Sequence, residues 1–530
     1  MMSLWKLFER SVQLYHKKTA LIEVNRRISF DELWEISCRM GRRLWEEAEE
    51  KKQRRVLILA RNSIEEIAVF LGCFQTGLIA CPVNWRHSAK ELEKLLADYP
   101  DAVLLSDRKS SELMRQAGAE NVLLLEEMDS AWGSGCLKRK DRLDSDRETE
   151  CLVKEAVLTY GEDKCYFGNG AGPEDIAVQL FTSGSTGTPK EVGHTHGGLM
   201  AYLYTYALES RWTAEEIYQT SANLFHLSGL SIILSLLIGS TTVFFDHFDS
   251  MEFLQVMERE KSSRVSMIPT LIIRLLQDKR MQEFDFSSVK KIVYGGSPMN
   301  EHVVLQAMER FHCQMEQAYG ATESCCMAIL LPEDHQRAAD HVQDRKILRS
   351  AGRPLPLVQV RIRQETTGDE GKKEACGEIE VKSPFLCTWD AKKGQYGTAD
   401  GYHPTGDMGW VDSDGYLYLA GRKHDLIISG GENVYPKEVE DCIAGLTAVE
   451  AVCVLGMPEP CWGEMVVACV VRKENVSLSE DEVISWCRQH IAGYKKPKKV
   501  VFCDYLPENA NGKVSRPLLR KYLEDYIFKK

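Results

Sequence analysis

The chain has 530 residues, several times a common domain length, so at least two domains are expected. Apolar residues make up 44% and charged residues 27%, the balance of an ordinary globular protein. The net charge is −12 with no long basic block, which argues against nucleic acid or an anionic membrane surface as the main partner but leaves room for a nucleotide held by local donors.

Met1 to Lys18 mixes charged and apolar residues and lacks the apolar core of a secretory signal. Val56 to Leu59 reads as a strand, followed by Asn62 or Ser63 capping a helix with Glu65 and Glu66 in its first turn. Ile79 to Val83 and Ala102 to Ser106 read as strands around a helix from Ala89 to Tyr99, a βαβ pattern that implies parallel sheet covered by helices. Gly133 to Glu150 is charge-rich and reads as a surface excursion. A second alternating block runs from Ala177 to Leu331, with strands at Val265 to Ile268 and Lys291 to Tyr294 and a helix from Asn300 to Phe311. Leu227 to Phe245 is uncharged for nineteen residues, but its four serines, two threonines and two glycines split it. A buried helix, Leu230 to Ile238, and a strand, Thr241 to Phe245, are expected there rather than a membrane span. Ser350 to Leu419 has short strands and Gly-bearing turns, and a compact α+β tail follows Gly421, with strands at Ala451 to Leu455 and Met465 to Val471. The seventeen cysteines are scattered without C-x-x-C spacing, so neither a zinc site nor a redox motif is expected, and thiols at that density fit a reducing cytoplasm.

The strongest local signal is Thr182-Ser183-Gly184-Ser185-Thr186-Gly187-Thr188-Pro189-Lys190, directly after the apolar run Ile176 to Phe181. Glycines allow close backbone approach to an anion, hydroxyls add donors and Lys190 adds charge. The string is not a Walker loop, and a Ser/Thr/Gly-rich run taken alone is usually a flexible loop, although the apolar segment before it favours a rigidly anchored one. It does not stand alone. Tyr319-Gly320-Ala321-Thr322-Glu323, Tyr402 to Gly409, Gly421-Arg422 to Gly431 and Asn511-Gly512-Lys513 follow it in a fixed order.

With Thr182 to Lys190, these segments resemble, in register, the motifs of the ANL superfamily of AMP-forming adenylating enzymes, and most of all its acyl- and aryl-CoA synthetases. The resemblance implies an α/β fold. A large N-terminal domain, 1–420, would hold two βαβ-type parallel-sheet subdomains and a small β-rich subdomain. A hinge at 421–425 would join it to a small mobile α+β domain, 426–530. It also implies an enzyme that uses ATP and Mg²⁺ to convert a carboxylic acid to acyl-AMP, then passes the acyl group to coenzyme A. Thr182, Ser183, Gly184, Ser185, Thr186, Gly187 and Lys190 would hold the phosphates, with Thr186 helping to position the metal. Glu323 would hold Mg²⁺ against ATP, and Thr322 would contact the α-phosphate. Asp407 and Arg422 would take the ribose, and Tyr319 would stand in the nucleotide site. Gly295 and Gly296 would let adenine pack on backbone, although an ordinary turn reads as well there. Lys513 would bridge the two anions that adenylation brings together, offsetting their repulsion.

Leu224 to Gly229 falls where amino-acid-activating relatives carry an aspartate for the substrate ammonium. Here His226 takes that place, so the resemblance points to an acyl or aryl acid with His226 near its carboxylate. Phe225 to Leu230, Tyr294 to Ser297 and Tyr319 to Met327 are expected to line the acyl pocket. The stretches His226 to Phe245 and Asp425 to Glu440 resemble o-succinylbenzoate and halobenzoate CoA ligases most, which favours an aryl or medium-sized acid. Gly430 and Gly431 would let pantetheine reach the adenylate. An acyl carrier protein serving in trans is the alternative acceptor, and the reading admits a homodimer. Two residues depart from the family pattern. Glu191 stands where relatives usually have glycine, and His424 occupies the hinge position usually held by an acid or lysine. They keep open a degenerate, non-catalytic acyl-nucleotide binder.

Overall fold

The computed structural model describes residues 3–130, 171–182, 190–364, 376–387, 398, 400–430, 432–459, 463–473, 476–508 and 514–528. The first βαβ block builds a six-stranded sheet. Its strands lie in the order Leu123–Leu124, Val103–Ser106, Arg55–Leu59, Ile79–Pro82, Ile176–Thr182 and Lys190–Thr195, parallel except for the last. The crossover helices open on serine caps. The Ser63 hydroxyl accepts from Glu66 N ahead of Ile64–Thr76, and Ser88 forms a reciprocal capping box with Glu91 ahead of Ala89–Asp98.

The second block builds a nine-stranded sheet whose parallel core is Gln314–Ala321, Lys291–Gly295, Arg264–Met267, Ile217–Thr220 and Thr241–Phe244. Thr241–Phe244 is buried at every position, as expected of a strand with parallel neighbours on both sides and covered faces. One feature lies outside the sequence expectation. The N-terminal strand Thr19–Glu23 pairs in parallel with Thr241–Phe244, and its hairpin partner Arg26–Ser29 forms the edge, so the start of the chain completes the second sheet rather than the first. Helix Leu4–Tyr15 makes the same crossing, with the Ser11 hydroxyl donating to Leu237 O at 2.9 Å.

The β-rich segment forms a four-stranded antiparallel sheet, Gln359–Arg363, Gly377–Lys382, His403–Val411 and Leu417–Arg422. The tail forms a five-stranded sheet around the long hairpin Val449–Glu459 and Gly463–Arg472. These hairpin strands run beyond the apolar stretches that mark them in sequence, because cross-strand pairing carries Glu459 and Arg472 into the ladder. The expected excursion at Gly133 to Glu150 lies outside the described residues. Among the described residues no helix is long and apolar enough to cross a membrane.

Candidate active site

In parallel sheets, ligands gather at the carboxyl ends of the strands. Here the carboxyl edges of two sheets are joined by one side chain. Asn62, only 2% exposed, follows the strand Arg55–Leu59. Its Nδ2 donates to the carbonyls of Ala222 at 2.8 Å and Phe245 at 3.1 Å, and its Oδ1 accepts from Leu224 N at 3.1 Å. The loop leading to Phe225 and His226 is thereby fixed to the first sheet. His226 itself is half-buried, precedes the 3-10 turn Leu227–Gly229, and its ring centroid lies 4.3 Å from that of Phe225.

Thr182 and Lys190 are register partners and close the stem of the expected phosphate loop. Ser183, Gly184, Ser185, Thr186 and Gly187 lie outside the described residues, as do Gly431 and Lys513. Glu191 sits opposite Phe181 on this stem, near the Tyr99 hydroxyl.

On the second sheet, the strand Lys291–Gly295 ends against its neighbour. A Cβ on Gly295 would lie 2.3 Å from the Ala318 carbonyl oxygen, so a side chain is excluded there. Gly296 follows directly. Thr322 and Glu323 occupy the turn between Gln314–Ala321 and Cys325–Leu330, where Ser324 N donates to Ala321 O at 3.1 Å and Cys387 N to Glu323 O at 2.8 Å. His194, from the strand that begins at Lys190, packs beside this turn, close to the Thr322 backbone and with its Nδ1 3.9 Å from Cys325 Sγ. Burial lowers its pKa to about 4, so it is neutral near pH 7.

Tyr294 corrects the expected pocket lining. Its ring is fully buried and its hydroxyl lies 2.9 Å from His335 Nε2 and 3.1 Å from Gln317 Oε1. It contributes backbone to the edge while its side chain serves the core.

A third group closes the site from the β-rich sheet. Asp407 and Arg422 are register partners on adjacent strands, with Arg422 Nε 2.8 Å from Asp407 Oδ1. The Tyr319 hydroxyl donates to Asp407 Oδ2 at 2.6 Å. Burial raises the Asp407 pKa, with the Arg422 charge and the Tyr319 hydrogen bond acting in the opposite direction. The structure thus gathers three residues that sequence places far apart. His403 is a further member that the motif reading missed. Its pKa is lowered by burial, and it lies within the fields of Glu323 and Lys190. The only sequence signal was its place inside the Tyr402 to Gly409 segment.

Beyond Arg422 the chain makes a 3-10 turn, Lys423–Asp425, preceded by Gly421 at φ 140, a value that disfavours any side chain. His424 is well exposed. Asp425 Oδ2 lies 3.2 Å from Arg516 Nε, and Arg516 Nη2 lies 2.7 Å from Glu440 Oε1. Arg516 opens the helix just after the Lys513 segment, so it ties that segment's base to the connector. Gly430 starts the turn between Ile427–Ser429 and Glu432–Val434. Glu508 and Val514 bridge around residues 509–513, and Glu508 Oε2 lies 3.9 Å from Arg274 of helix Pro269–Gln277.

Among the described residues no cluster of three or more His, Cys, Asp or Glu side chains can hold a metal. A single carboxylate at the Thr322-Glu323 turn still fits Mg²⁺, which is commonly held by one or two carboxylates plus substrate phosphates.

Two helix-covered parallel sheets sharing a carboxyl edge, with the Tyr319, Asp407 and Arg422 group over it and a small domain beyond a short connector, define an adenylate-forming enzyme. The chain belongs to the AMP-binding enzyme family: the family profile matches residues 8–388, and that of the AMP-binding enzyme C-terminal domain matches residues 438–513. It is an acid–thiol ligase of the AMP-forming acyl-CoA synthetase class. Among its relatives is the long-chain-fatty-acid–CoA ligase FadD13 of Mycobacterium tuberculosis, 30% identical over 89% of this chain and 88% of that protein. Another is the feruloyl-CoA synthase of an Amycolatopsis species, 31% identical over 88% of each. The o-succinylbenzoate coenzyme A synthetase of Bacillus subtilis, in complex with ATP and magnesium, superimposes with a TM-score of 0.78 at 26% identity, covering 98% of this chain and 99% of the other.

Proposed function

We propose that this chain ligates an aryl or medium-sized carboxylic acid to coenzyme A in two steps at one site. In the first, a carboxylate oxygen of the acid attacks the α-phosphorus of ATP, and the bond to the leaving pyrophosphate breaks, giving acyl-AMP. In the second, the coenzyme A sulfur attacks the acyl carbon, and AMP leaves with the electron pair. The observation that carries the reading is the meeting of the Tyr319–Asp407–Arg422 group with the Thr322-Glu323 turn over the shared carboxyl edge.

Asp407, fixed by Arg422 and Tyr319, accepts hydrogen bonds from the ribose hydroxyls. Glu323 is the residue that would hold Mg²⁺, which neutralises phosphate charge when bound. Thr322 contacts the α-phosphate. Lys513 offsets the repulsion between carboxylate and phosphate in the first step. Gly430 and Gly431 line the approach of pantetheine in the second, and His226 stands beside the acyl carboxyl group. The acceptor is coenzyme A, with a carrier-protein phosphopantetheine as the second reading because it presents the same thiol. The enzyme works in the cytoplasm, where free thiols persist.

ATP–pyrophosphate exchange over a panel of aryl and aliphatic acids, repeated with coenzyme A and thioester detection, tests the reading. Exchange with at least one acid and thioester formation only with coenzyme A is expected. Absence of exchange across the panel would leave a nucleotide binder without ligase activity. Lys513→Ala separates the steps. It is expected to slow exchange by about a hundredfold or more while leaving thioester formation from supplied acyl-AMP largely intact. Equal loss of both half-reactions in a folded variant would remove Lys513 from its role.

A further inference from the structure

We infer that Asn62 is a positioning residue for the acid: by pinning the segment Ala222 to His226 to the first sheet, it sets where the acyl carboxyl group meets the α-phosphate of ATP. The inference rests on the reading above, in which His226 stands beside that carboxyl group.

The base of the pin is itself fixed. Asn62 stands just past the strand Arg55–Leu59, and the residue before it is held by Arg61 N donating at 2.8 Å to Asp107 Oδ2, at the end of the neighbouring strand Val103–Ser106. The Asn62 side chain is buried, and its three bonds cross to the second sheet: Nδ2 to the carbonyls of Ala222 and Phe245, and Oδ1 to the Leu224 N–H. Ala222 and Leu224 follow the strand Ile217–Thr220, and Phe245 follows Thr241–Phe244. One neutral amide therefore ties together the carboxyl ends of three strands from two sheets. Helix capping does not explain the residue, because Ser63 caps Ile64–Thr76 by accepting from Glu66 N at 3.0 Å while the Asn62 amide is directed to the other sheet. Two donors and an acceptor on a short uncharged side chain are what asparagine supplies and aspartate, serine and alanine do not.

A displacement at Leu224 passes to His226 because the segment between them is tightly folded. Leu224 and Phe225 are buried, and the Phe225 and His226 ring centroids lie 4.3 Å apart. Ala222 N donates to Thr220 Oγ1 at 3.1 Å, His226 N to Asn223 O at 3.0 Å and Gly229 N to His226 O at 2.9 Å, so the segment closes on itself. A Cβ on Gly229 would lie 2.1 Å from Asn223 O, which shows how little room the turn has. At the other end of the pin, the first sheet also carries Thr182 and Lys190, on strands two and three places along from Arg55–Leu59. On the reading above the acid is held from the second sheet and the triphosphate from the first, and Asn62 fixes one against the other. Reacting groups held in alignment lose about a hundredfold in rate when one is misplaced by about 1 Å. The expected signature is therefore a loss in the adenylation rate with the nucleotide still bound normally.

ATP–pyrophosphate exchange, with calorimetry for the nucleotides and hydrogen exchange for the backbone, tests the pin. Asn62→Ala is expected to lower the kcat of exchange by about thirtyfold to a hundredfold and to raise KM for the acid, while AMP and a non-hydrolysable ATP analogue bind as to the unaltered enzyme. Asn62→Asp keeps the size of the side chain and an acceptor for Leu224 N but offers the two carbonyls no donor, and it is expected to show the same split. It carries the test if Asn62→Ala does not fold. In both variants amide exchange should quicken over Ala222 to His226 and stay unchanged over Lys291 to Gly295. Glu316→Ala, at the opposite end of the second sheet, controls for lost stability and is expected to keep the kcat of exchange at temperatures well below its melting point. Unchanged kcat in the Asn62 variants, an equal weakening of the nucleotides, unchanged amide exchange over Ala222 to His226, or an equal loss of rate in Glu316→Ala would each overturn the inference. Absence of exchange by the unaltered enzyme with every acid tried would instead overturn the reading on which it rests.

Discussion

The Asp407 carboxylate has one oxygen on the Arg422 guanidinium and the other on the Tyr319 hydroxyl. A carboxylate held from both sides has little freedom to turn, which suits the ribose-binding role proposed for it. Asp407→Ala is therefore expected to weaken ATP and AMP by a similar factor, about tenfold or more, since each lost hydrogen bond to a charged group is worth about 1.5–3 kcal/mol. Asp407→Asn keeps an acceptor for Tyr319 and should lose less. Calorimetry with both nucleotides checks this, and normal AMP affinity in Asp407→Ala would take the ribose out of the account. The motif reading identified Asp407 and Arg422 because their spacing is local to the segments that hold them. Asn62, His194 and His403 were not legible, because each acquires its place only when strands from distant segments come together. A buried asparagine bridging two sheets has the same sequence appearance as a helix cap.

Elements were legible where one face or one cap decides them, as at Ser63 and the buried strand Thr241–Phe244. The hairpin Thr19–Ser29 and its helix were not, because their partners lie more than two hundred residues away. The amino ends of the second sheet's strands carry charged residues that the fold buries. Arg264 is fully buried and Lys291 is 7% exposed. Glu316 Oε2 lies 2.8 Å from Lys291 Nζ, and the Ser210 hydroxyl links Arg264 Nη1 at 2.8 Å to Glu316 Oε1 at 2.7 Å. Glu216 completes the group, 2.9 Å from Arg264 Nε. Removing the central acid leaves two buried cations under-compensated. Glu316→Ala is expected to cost about 3–5 kcal/mol, the range for breaking a buried ion pair by deleting one partner. Urea unfolding measures it, and a loss under about 1 kcal/mol would mean that water or neighbouring groups compensate fully.

At the scale of the whole molecule, acid should unfold this protein partly through its buried histidines. His194, His196 and His335 each have a pKa lowered by burial to about 4. The unfolded chain takes up those protons near the ordinary histidine value of about 6.5, so between roughly 6.5 and 4 it binds more protons than the folded chain and stability falls as pH drops. Asp407 and Glu66, whose carboxyls are raised by burial, act in the opposite sense and offset part of the loss. Melting temperature against pH for the enzyme and for His335→Gln checks the sign, since the variant should show a shallower slope over that window.

The connector poses the other question at this scale, because one small domain must serve both half-reactions. Under the roles proposed above, Lys513 lies over the phosphates in the first step and Gly430-Gly431 reaches the same carbon in the second. A rotation can satisfy both, and the backbone change should concentrate between the last strand of the β-rich sheet, Leu417–Arg422, and the first of the tail, Ile427–Ser429. Arg516 sharpens this expectation. By pairing with Asp425 and Glu440 it makes the Lys513 segment move with the tail side of the connector, leaving Gly421 to His424 as the compliant stretch. His424 is 70% exposed at its side chain, so replacing it removes little packing. His424→Pro therefore acts on backbone: it fixes φ near about −65° and disfavours the helical conformation of Lys423, which the 3-10 turn requires. The described arrangement should become less accessible, so the two half-reactions should change by different factors, while His424→Ala leaves both near the unaltered rates. Exchange and thioester assays on both variants decide the matter. If proline and alanine give the same pair of rates, the compliant stretch lies elsewhere in the chain.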